Sequence, residues 1–188
     1  MNNLFSYDVF IQLIGFVGVV LSFLVFQSNK RHKMLLLQTV SALVWSLHFF
    51  LLGAVTGSAM NFITAGRNYT YYKAGRNRNI LIPLSFAACM VVAVLLTWQG
   101  PRSLLPMAGS LIGTLAFWQV KTHHIRLIVI VSPSLWLIYN VISGSYAGVV
   151  ADTLVIFSIA LGIYRFDVRP LWRRRYRRHA ARKKLKYA

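Results

Sequence analysis

A stretch of apolar sequence occurs twice in this chain, and its distinctive residues recur 91 positions apart. Four matches in one register inside apolar sequence are hard to ascribe to chance. Internal repeats in membrane proteins are typical of transporters, with the binding site at the repeat interface. This feature therefore predicts a repeated membrane fold. The matched pairs are Trp45 and Trp136, Gly53 and Gly144, Gly57 and Gly148, and Asn61 and Asp152.

The chain carries little charge for its length, and that charge is mostly positive. Of 188 residues 57% are hydrophobic and 13% charged, with 21 Lys and Arg against three Asp and Glu. A soluble domain would carry about a quarter charged residues, so the long uncharged runs indicate an integral membrane protein. The net charge of +18 could point to nucleic acid. The basic residues, however, lie between apolar runs and in the C-terminal tail, as in cytoplasmic loops, so we expect no nucleic-acid partner.

Seven apolar segments are each long enough to cross a bilayer core of ~30 Å at ~1.5 Å per residue. If the N-terminus is outside, every Lys and Arg except Arg102 falls inside, which predicts an outer N-terminus and an inner C-terminus. Deleting the weakest segment, the third, would place four basic residues outside. The expected spans are 10–26, 34–52, 57–72, 81–97, 104–120, 125–143 and 148–166.

These spans predict an all-α fold of two parallel three-helix bundles joined by a linker helix, a 3+1+3 arrangement. Spans 1–3 match spans 5–7 four crossings later, so both bundles point the same way across the membrane. The basic tail is expected to fix the topology and to contact anionic lipid headgroups. The expected units are a first bundle at 10–72, a linker helix at 81–97, a second bundle at 104–166 and a basic cytoplasmic tail at 167–188.

Asn61 and Asp152 occupy the same repeat position, a few residues into the third and seventh spans. A carboxylate in the membrane interior costs roughly 2.5 to 3.5 kcal/mol on insertion scales. Asp152 is therefore expected to face a polar cavity or a partner rather than lipid. The alternative is that Asp152 stabilises the start of a helix through the helix dipole. Asn61, being uncharged, depends for its significance on the symmetry.

Two tryptophans in the middle of their spans extend this candidate site. Trp45 and Trp136 each precede the polar pair by 16 positions, away from the membrane ends where Trp usually acts as an anchor. A flat aromatic face beside a hydrogen-bonding amide suits a small polar ligand, and packing between buried helices is the alternative. His48 and Tyr139 match across the repeat and could line the same cavity. A hydrogen-bonded structural role is the alternative for His48.

Pro133 lies in the middle of the sixth span, where it removes a backbone hydrogen bond and could act as a hinge. Its repeat mate is Ala42, so the first bundle lacks this break. Arg67 and Arg165 lie near inner span ends and are expected to extend to the headgroups without a site role. With three acids, the single Cys89 and no cluster of metal ligands, we expect no enzyme, no metal and no cofactor.

The 3+1+3 arrangement and the Trp-to-Asn spacing resemble the SWEET sugar transporters and the wider PQ-loop group, over residues 10–166. In that family a Trp and an Asn from each bundle line a central sugar site. The resemblance implies substrate-binding roles for Trp45 and Asn61 in one bundle, and for Trp136 and Asp152 in the other. It also implies alternating access between the two bundles.

The sequence departs from that group in two ways. It contains no Pro-Gln dipeptide, and the equivalent places read Phe26-Gln27 and Trp118-Gln119. Asp152 stands where the group has its second Asn. That replacement widens the expected solutes from neutral sugars to cationic or zwitterionic ones, or to proton-linked movement.

A second resemblance is to the YgjV-type bacterial inner-membrane proteins, which implies a multi-pass protein of the bacterial cytoplasmic (inner) membrane. Together these features predict a transporter of a small polar solute, with solute and membrane lipids as its partners and no oligomeric state indicated. The alternative is a non-transporting accessory or scaffold protein whose Trp rings pack against aliphatic neighbours. The resemblance is carried by Gln27-x3-Arg31, then Trp45-x2-His48, then Gly53, Gly57 and Asn61.

Overall fold

The structure is a computed structural model that describes residues 2–75 and 79–170, with side chains from residue 9 onward. All regular structure in these residues is helical, as expected where lipid cannot satisfy backbone polar groups. A 3₁₀ turn precedes α5, and a π-helical turn follows α8. The helices are α1 Asn2–Phe26, α2 Arg31–Leu51, α3 Val55–Ala74, α4 Leu81–Leu96, α5 Leu104–Trp118, α6 Thr122–Val129, α7 Ser132–Ile142 and α8 Tyr146–Ile163.

Fewer helices qualify as membrane spans by length and composition than the seven segments expected. Three do so, at Val9–Phe26, Arg31–Leu51 and Tyr146–Val168, and the bent pair of α6 and α7 makes a fourth if the pair is one span. α4 is apolar but only 16 residues long, and α5 has 15. α3 is the most polar of the long helices. Several of its polar side chains turn inward rather than toward the surface.

The sixth predicted span is divided. α6 and α7 meet at an angle of 42°, and Pro133 lies in the first turn of α7, next to the break. Proline is tolerated there because the first amides of a helix have no intrahelical partner. α2 is continuous from Arg31–Leu51, as expected from Ala42 at the matching position. The bend lies where Pro133 was expected to interrupt the span; movement about it stays a prediction.

The turn between α2 and α3 and the turn between α7 and α8 have the same backbone geometry. Gly53 has φ +70° and Gly144 has φ +67°, the left-handed conformation that favours glycine at a helix end. The same three hydrogen bonds close both turns, each displaced by 91 positions. They are Leu52 to His48, Gly53 to Phe50 and Ala54 to Phe49 in the first turn, and Ser143 to Tyr139, Gly144 to Val141 and Ser145 to Asn140 in the second.

We call α1–α3 the first half and α5–α8 the second half. Within the first half α1 packs on α2 and α2 on α3, and within the second half α5 packs on α6 and α7, and α7 on α8. The halves meet along two seams, α1 against α8 and α3 against α5. α4 packs on α3 and α5, beside the second seam. A central cavity lies between the helices of the two halves. The domain boundaries stay a prediction, and the basic clusters of the tail at 171–188 lie outside the described residues.

Candidate functional site

The central cavity has a volume of about 110 Å³ and is lined by residues of both halves. A single water needs roughly 10 to 15 Å³ of such space, so the cavity has room for several waters or one small solute. Its wall is mixed, with aromatic rings, glycines, hydroxyl groups and amides. Two charged side chains also reach it, Arg67 from α3 and Asp152 from α8.

All four residues of the predicted Trp and Asn/Asp set line this cavity. Trp45 comes from α2, Asn61 from α3, Trp136 from α7 and Asp152 from α8. Pro133 lines it as well, one turn before Trp136. The structure thus brings together residues that lie far apart in sequence, and their roles in binding stay a prediction.

Each tryptophan is held against a glycine of the first helix of its own half. A Cβ built on Gly18 would lie 2.8 Å from the ring of Trp45, and one built on Gly109 would lie 2.7 Å from the ring of Trp136. Gly18 and Gly109 are also 91 positions apart. Nε1 of Trp45 donates to Oγ of Ser22 at 2.9 Å. The rings are therefore both packed between helices and exposed to the cavity, so the two alternatives for them are compatible.

Asp152 is not the N-cap of its helix. Oγ of Ser145 accepts a hydrogen bond from the Gly148 amide at 3.1 Å and caps α8, while Asp152 lies two turns further on. The helix dipole acts mainly within the first turn, and the Asp152 side chain lies beyond that turn. Oδ2 of Asp152 instead accepts a hydrogen bond of 2.7 Å from Nδ2 of Asn140. Asn61, its repeat mate, donates from Nδ2 to the carbonyl of Gly57 in its own helix, at 3.0 Å.

The expectation that Arg67 extends to the headgroups is wrong. Its side chain is only 1% exposed and lines the cavity. Nε and Nη2 both donate to Oδ1 of Asn68, at 3.1 and 2.9 Å. Nη1 donates to the Ser110 carbonyl at 3.0 Å and to Oγ1 of Thr114 at 2.8 Å. These acceptors on α3 and α5 hold the guanidinium inside the protein, so α3 contributes a buried cation. Arg165, by contrast, is exposed.

His48 and Tyr139 are buried and bonded across the two halves rather than among the cavity-lining residues. Nδ1 of His48 lies 3.0 Å from the Ile11 carbonyl, and Nε2 lies 2.9 Å from Oγ of Ser145. The Tyr139 hydroxyl accepts a 3.1 Å hydrogen bond from the Gly57 amide at the start of α3. The His48 side chain thus joins the end of α2 to the second half, and the Tyr139 side chain joins the end of α7 to the first half. For His48, such a hydrogen-bonded contact is the structural alternative given above.

At the opposite end of the cavity, two arginines join the halves. Arg31 at the start of α2 donates from Nε to the Gln119 carbonyl at 2.9 Å and from Nη2 to the Phe117 carbonyl at 3.2 Å, at the C-terminal end of α5. Arg126 of α6 donates from Nη2 to the Ser28 carbonyl between α1 and α2, at 3.0 Å. Contacts between the halves therefore flank the cavity at both ends.

Arg67 and Asn140 are two of the polar cavity residues that the sequence reasoning missed. Arg67 could have been found, because a charged residue within a span is by default a candidate for a functional site. It was set aside because it lies near the predicted inner end of its span. Asn140 gave no such signal, since its repeat mate is Phe49 and the symmetry does not select it.

Comparison with known proteins places the chain among bacterial inner membrane proteins. The profile of the Imp-YgjV family, described as a bacterial inner membrane protein, matches residues 9–169. The chain is 25% identical over 155 residues to the inner membrane protein YgjV of Escherichia coli (strain K12), covering 82% of this chain and 83% of that protein. No solved structure matches it.

Proposed function

The chain belongs to the Imp-YgjV family of bacterial inner membrane proteins, and on that premise we propose that it transports a small polar solute. The observation that carries the proposal is the cavity between the two halves, lined by Trp45, Asn61, Trp136 and Asp152. Protein interiors are normally close-packed, and polar side chains inside a membrane are energetically unfavourable. A polar cavity among apolar helices therefore supports a binding site. We propose no catalytic role for its residues.

Structural matches between the halves support the proposal of an internal repeat of the SWEET kind. The two turns share their hydrogen bonds, and both Trp–Gly contacts recur at the same spacing. The seams match too, because α1 of the first half meets α8 of the second while α5 meets α3. Parallel repeats related by an axis along the membrane normal place the solute site between them. The proposed topology is N-terminus out and C-terminus in.

Contacts at both ends of the cavity support alternating access as the mechanism. His48 and Tyr139 link the halves at one end, and Arg31 and Arg126 link them at the other. In the proposed cycle one set of contacts opens while the other holds, and the solute crosses without a continuous pore. The bend at Pro133 gives α6 and α7 a place to move relative to each other.

Cysteine accessibility tests this proposal without knowledge of the solute. Ser132 lines the cavity, whereas its repeat mate Ser41 is buried outside the cavity lining. In a Cys89→Ser background, Ser132→Cys is labelled with a charged, membrane-impermeant methanethiosulfonate added to right-side-out or to inverted membrane vesicles. Alternating access predicts that Ser132→Cys is labelled from both faces, while the matched control Ser41→Cys is labelled from neither.

Labelling of Ser132→Cys from neither face would overturn the transporter proposal and favour the accessory or scaffold protein. Labelling from one face alone would contradict alternating access. Labelling of Ser41→Cys to the same extent would show that the reagent reaches packed interior positions as well. The cavity would then not be the path of access.

A further inference from the structure

We propose that the solute is a small zwitterion that carries both an ammonium group and a carboxylate, as amino acids do. This inference rests on the proposed transport function and names the class of solute for that site. It follows from two ionisable side chains of opposite type, the guanidinium of Arg67 and the carboxyl group of Asp152, that line one cavity without pairing with each other. Buried charges are normally paired, because an isolated charge in a medium of low dielectric is unfavourable.

The guanidinium of Arg67 is held ready to bind an anion. Among the described residues its hydrogen-bond acceptors are all neutral, namely the side chains of Asn68 and Thr114 and the main-chain carbonyl of Ser110. A guanidinium has five N–H donors, and these contacts use four of them. One N–H of Nη2 therefore remains for a ligand. The only ion pairs in the described part of the chain are made by Asp167, with His123 and Arg126.

The hydroxyl of Ser110 adds a second donor beside Arg67. Ser110 is 4% exposed and lines the cavity, and its Oγ has no hydrogen-bond partner within the described residues. Gly113 lies next to the guanidinium, where a Cβ would be 3.4 Å from Nη1, so no side chain of that residue covers the charge. A carboxylate could accept from both the guanidinium and the hydroxyl. Arg is well suited to this because carboxylate oxygens match its planar donors.

The carboxylate of Asp152 forms the opposite pole with Asn140. Nδ2 of Asn140 donates to Oδ2 of Asp152, which leaves Oδ1 of Asn140 as an acceptor. This oxygen is buried and has no hydrogen-bond partner in the described residues. A carboxylate and an amide oxygen side by side offer acceptors only, which suits an ammonium group with its three N–H donors. The cavity thus has a donor-rich cationic pole and an acceptor-rich anionic pole.

Binding of matched ligands by the purified protein in detergent tests this proposal. The probes are glycine, β-alanine and 4-aminobutyrate, each measured beside the carboxylate and the amine of similar length that carry one charge only. Glucose serves as the neutral solute. At least one zwitterion is expected to raise the melting temperature and to bind at least about tenfold more tightly than either of its single-charge partners, because it gains a second charge-assisted contact.

Asp152→Asn separates this role from a structural one. The variant keeps the shape and the bond to Asn140 but loses the charge, so it should lose the preference for the zwitterion over the matched carboxylate. Affinity for the carboxylate should stay the same or increase. Ser110→Ala, which removes only a hydroxyl, should weaken binding of zwitterion and carboxylate to a similar degree. Arg67→Gln, which removes the guanidinium, tests the same cationic pole, and Ser110→Ala keeps that test available if Arg67→Gln does not fold.

The outcomes distinguish this inference from the proposed function. Stabilisation by glucose with no effect of any zwitterion would overturn the zwitterion class and leave transport standing. A zwitterion that binds Asp152→Asn and the wild type equally, relative to its carboxylate, would also overturn it. No binding by any probe would overturn the inference, and the cysteine labelling would then decide on transport separately.

Discussion

The two halves of the molecule share a packing frame but differ in the chemistry that they place in the cavity. Each has a tryptophan against a glycine and the same left-handed turn between its last two helices. Their polar residues differ. Asp152 corresponds to Asn61, Ser158 to Arg67 and Asn140 to Phe49, each 91 positions later. Repetition therefore belongs to the frame, and the charges are specific to one half each.

This division indicates which constraint acts on each position. Tight contacts between helices leave little freedom, since one added methyl group at Gly18 or Gly109 would meet an indole ring. A cavity wall is freer, because its side chains contact a ligand or water. Two like bundles would give a like-charged or neutral site, so opposite charges at Arg67 and Asp152 require the halves to differ. Such asymmetry is expected if the two ends of the solute differ.

The largest predicted effect comes from moving the proline between halves. Ala42→Pro places a proline inside the continuous helix α2, where it removes a hydrogen bond and clashes with the preceding turn, at a cost of about 3 kcal/mol or more. Pro133→Ala should change the free energy of unfolding by less than about 1 kcal/mol, because Pro133 lies in the first turn of α7. Unfolding in mixed detergent micelles measures both. Similar losses in the two variants would contradict the predicted difference between the continuous helix α2 and the divided pair of α6 and α7.

The next effect concerns the glycines under the tryptophans. Gly18→Ala and Gly109→Ala should each lower the free energy of unfolding by about 1 to 3 kcal/mol, because the added Cβ would overlap Trp45 or Trp136. Gly66→Ala is the matched control. A Cβ there would lie 3.8 Å from Phe86, and alanine should stabilise the exposed face of α3 slightly. If only one of the two glycines proves sensitive, the halves do not share this contact energetically.

Sequence reasoning located the matching turns and Trp–Gly contacts because their residues recur at one fixed spacing. The register of 91 positions linked Trp45 to Trp136 and Gly53 to Gly144, and both pairs adopt matching geometry. It could not place Arg67, because burial depends on how α3 is rotated against α5, and periodicity along one helix does not fix that rotation. The seven spans stay a prediction, since α3 does not qualify as a span by length and composition and its polar side chains lower its hydropathy.

An intermediate effect concerns how each half caps its last helix. The Tyr139 hydroxyl accepts from the Gly57 amide, whereas Oγ of Ser145 accepts from the matching amide of Gly148. Tyr139→Phe should lower the free energy of unfolding by about 1 to 2 kcal/mol, because it leaves a buried N–H unpaired. Ala54 is the repeat mate of Ser145 and has no capping side chain.

Ala54→Ser should therefore restore part of the loss caused by Tyr139→Phe, by supplying the cap in the manner of the second half. The backbone allows it, since Ala54 has φ −84° and ψ 67° while Ser145 has φ −85° and ψ 86°. Melting of the single and double variants in one detergent measures the rescue. If the double variant is no more stable than Tyr139→Phe, the two capping modes are not interchangeable.

The smallest predicted effect is the one that the halves should share most closely. Gly53→Ala and Gly144→Ala each place a side chain at a positive φ, where no described atom beyond the adjacent residues lies within 4 Å of the added Cβ. The cost should therefore be conformational alone, about 1 kcal/mol of unfolding free energy at each site. Because φ differs by so little between them, the two losses should agree within about 0.5 kcal/mol, and the double variant should lose about their sum. Gly53→Asn and Gly144→Asn should cost less, since asparagine tolerates this conformation better. Unequal losses would mean that the two turns differ in their conformational free energy. The halves would then match in backbone geometry but not in stability.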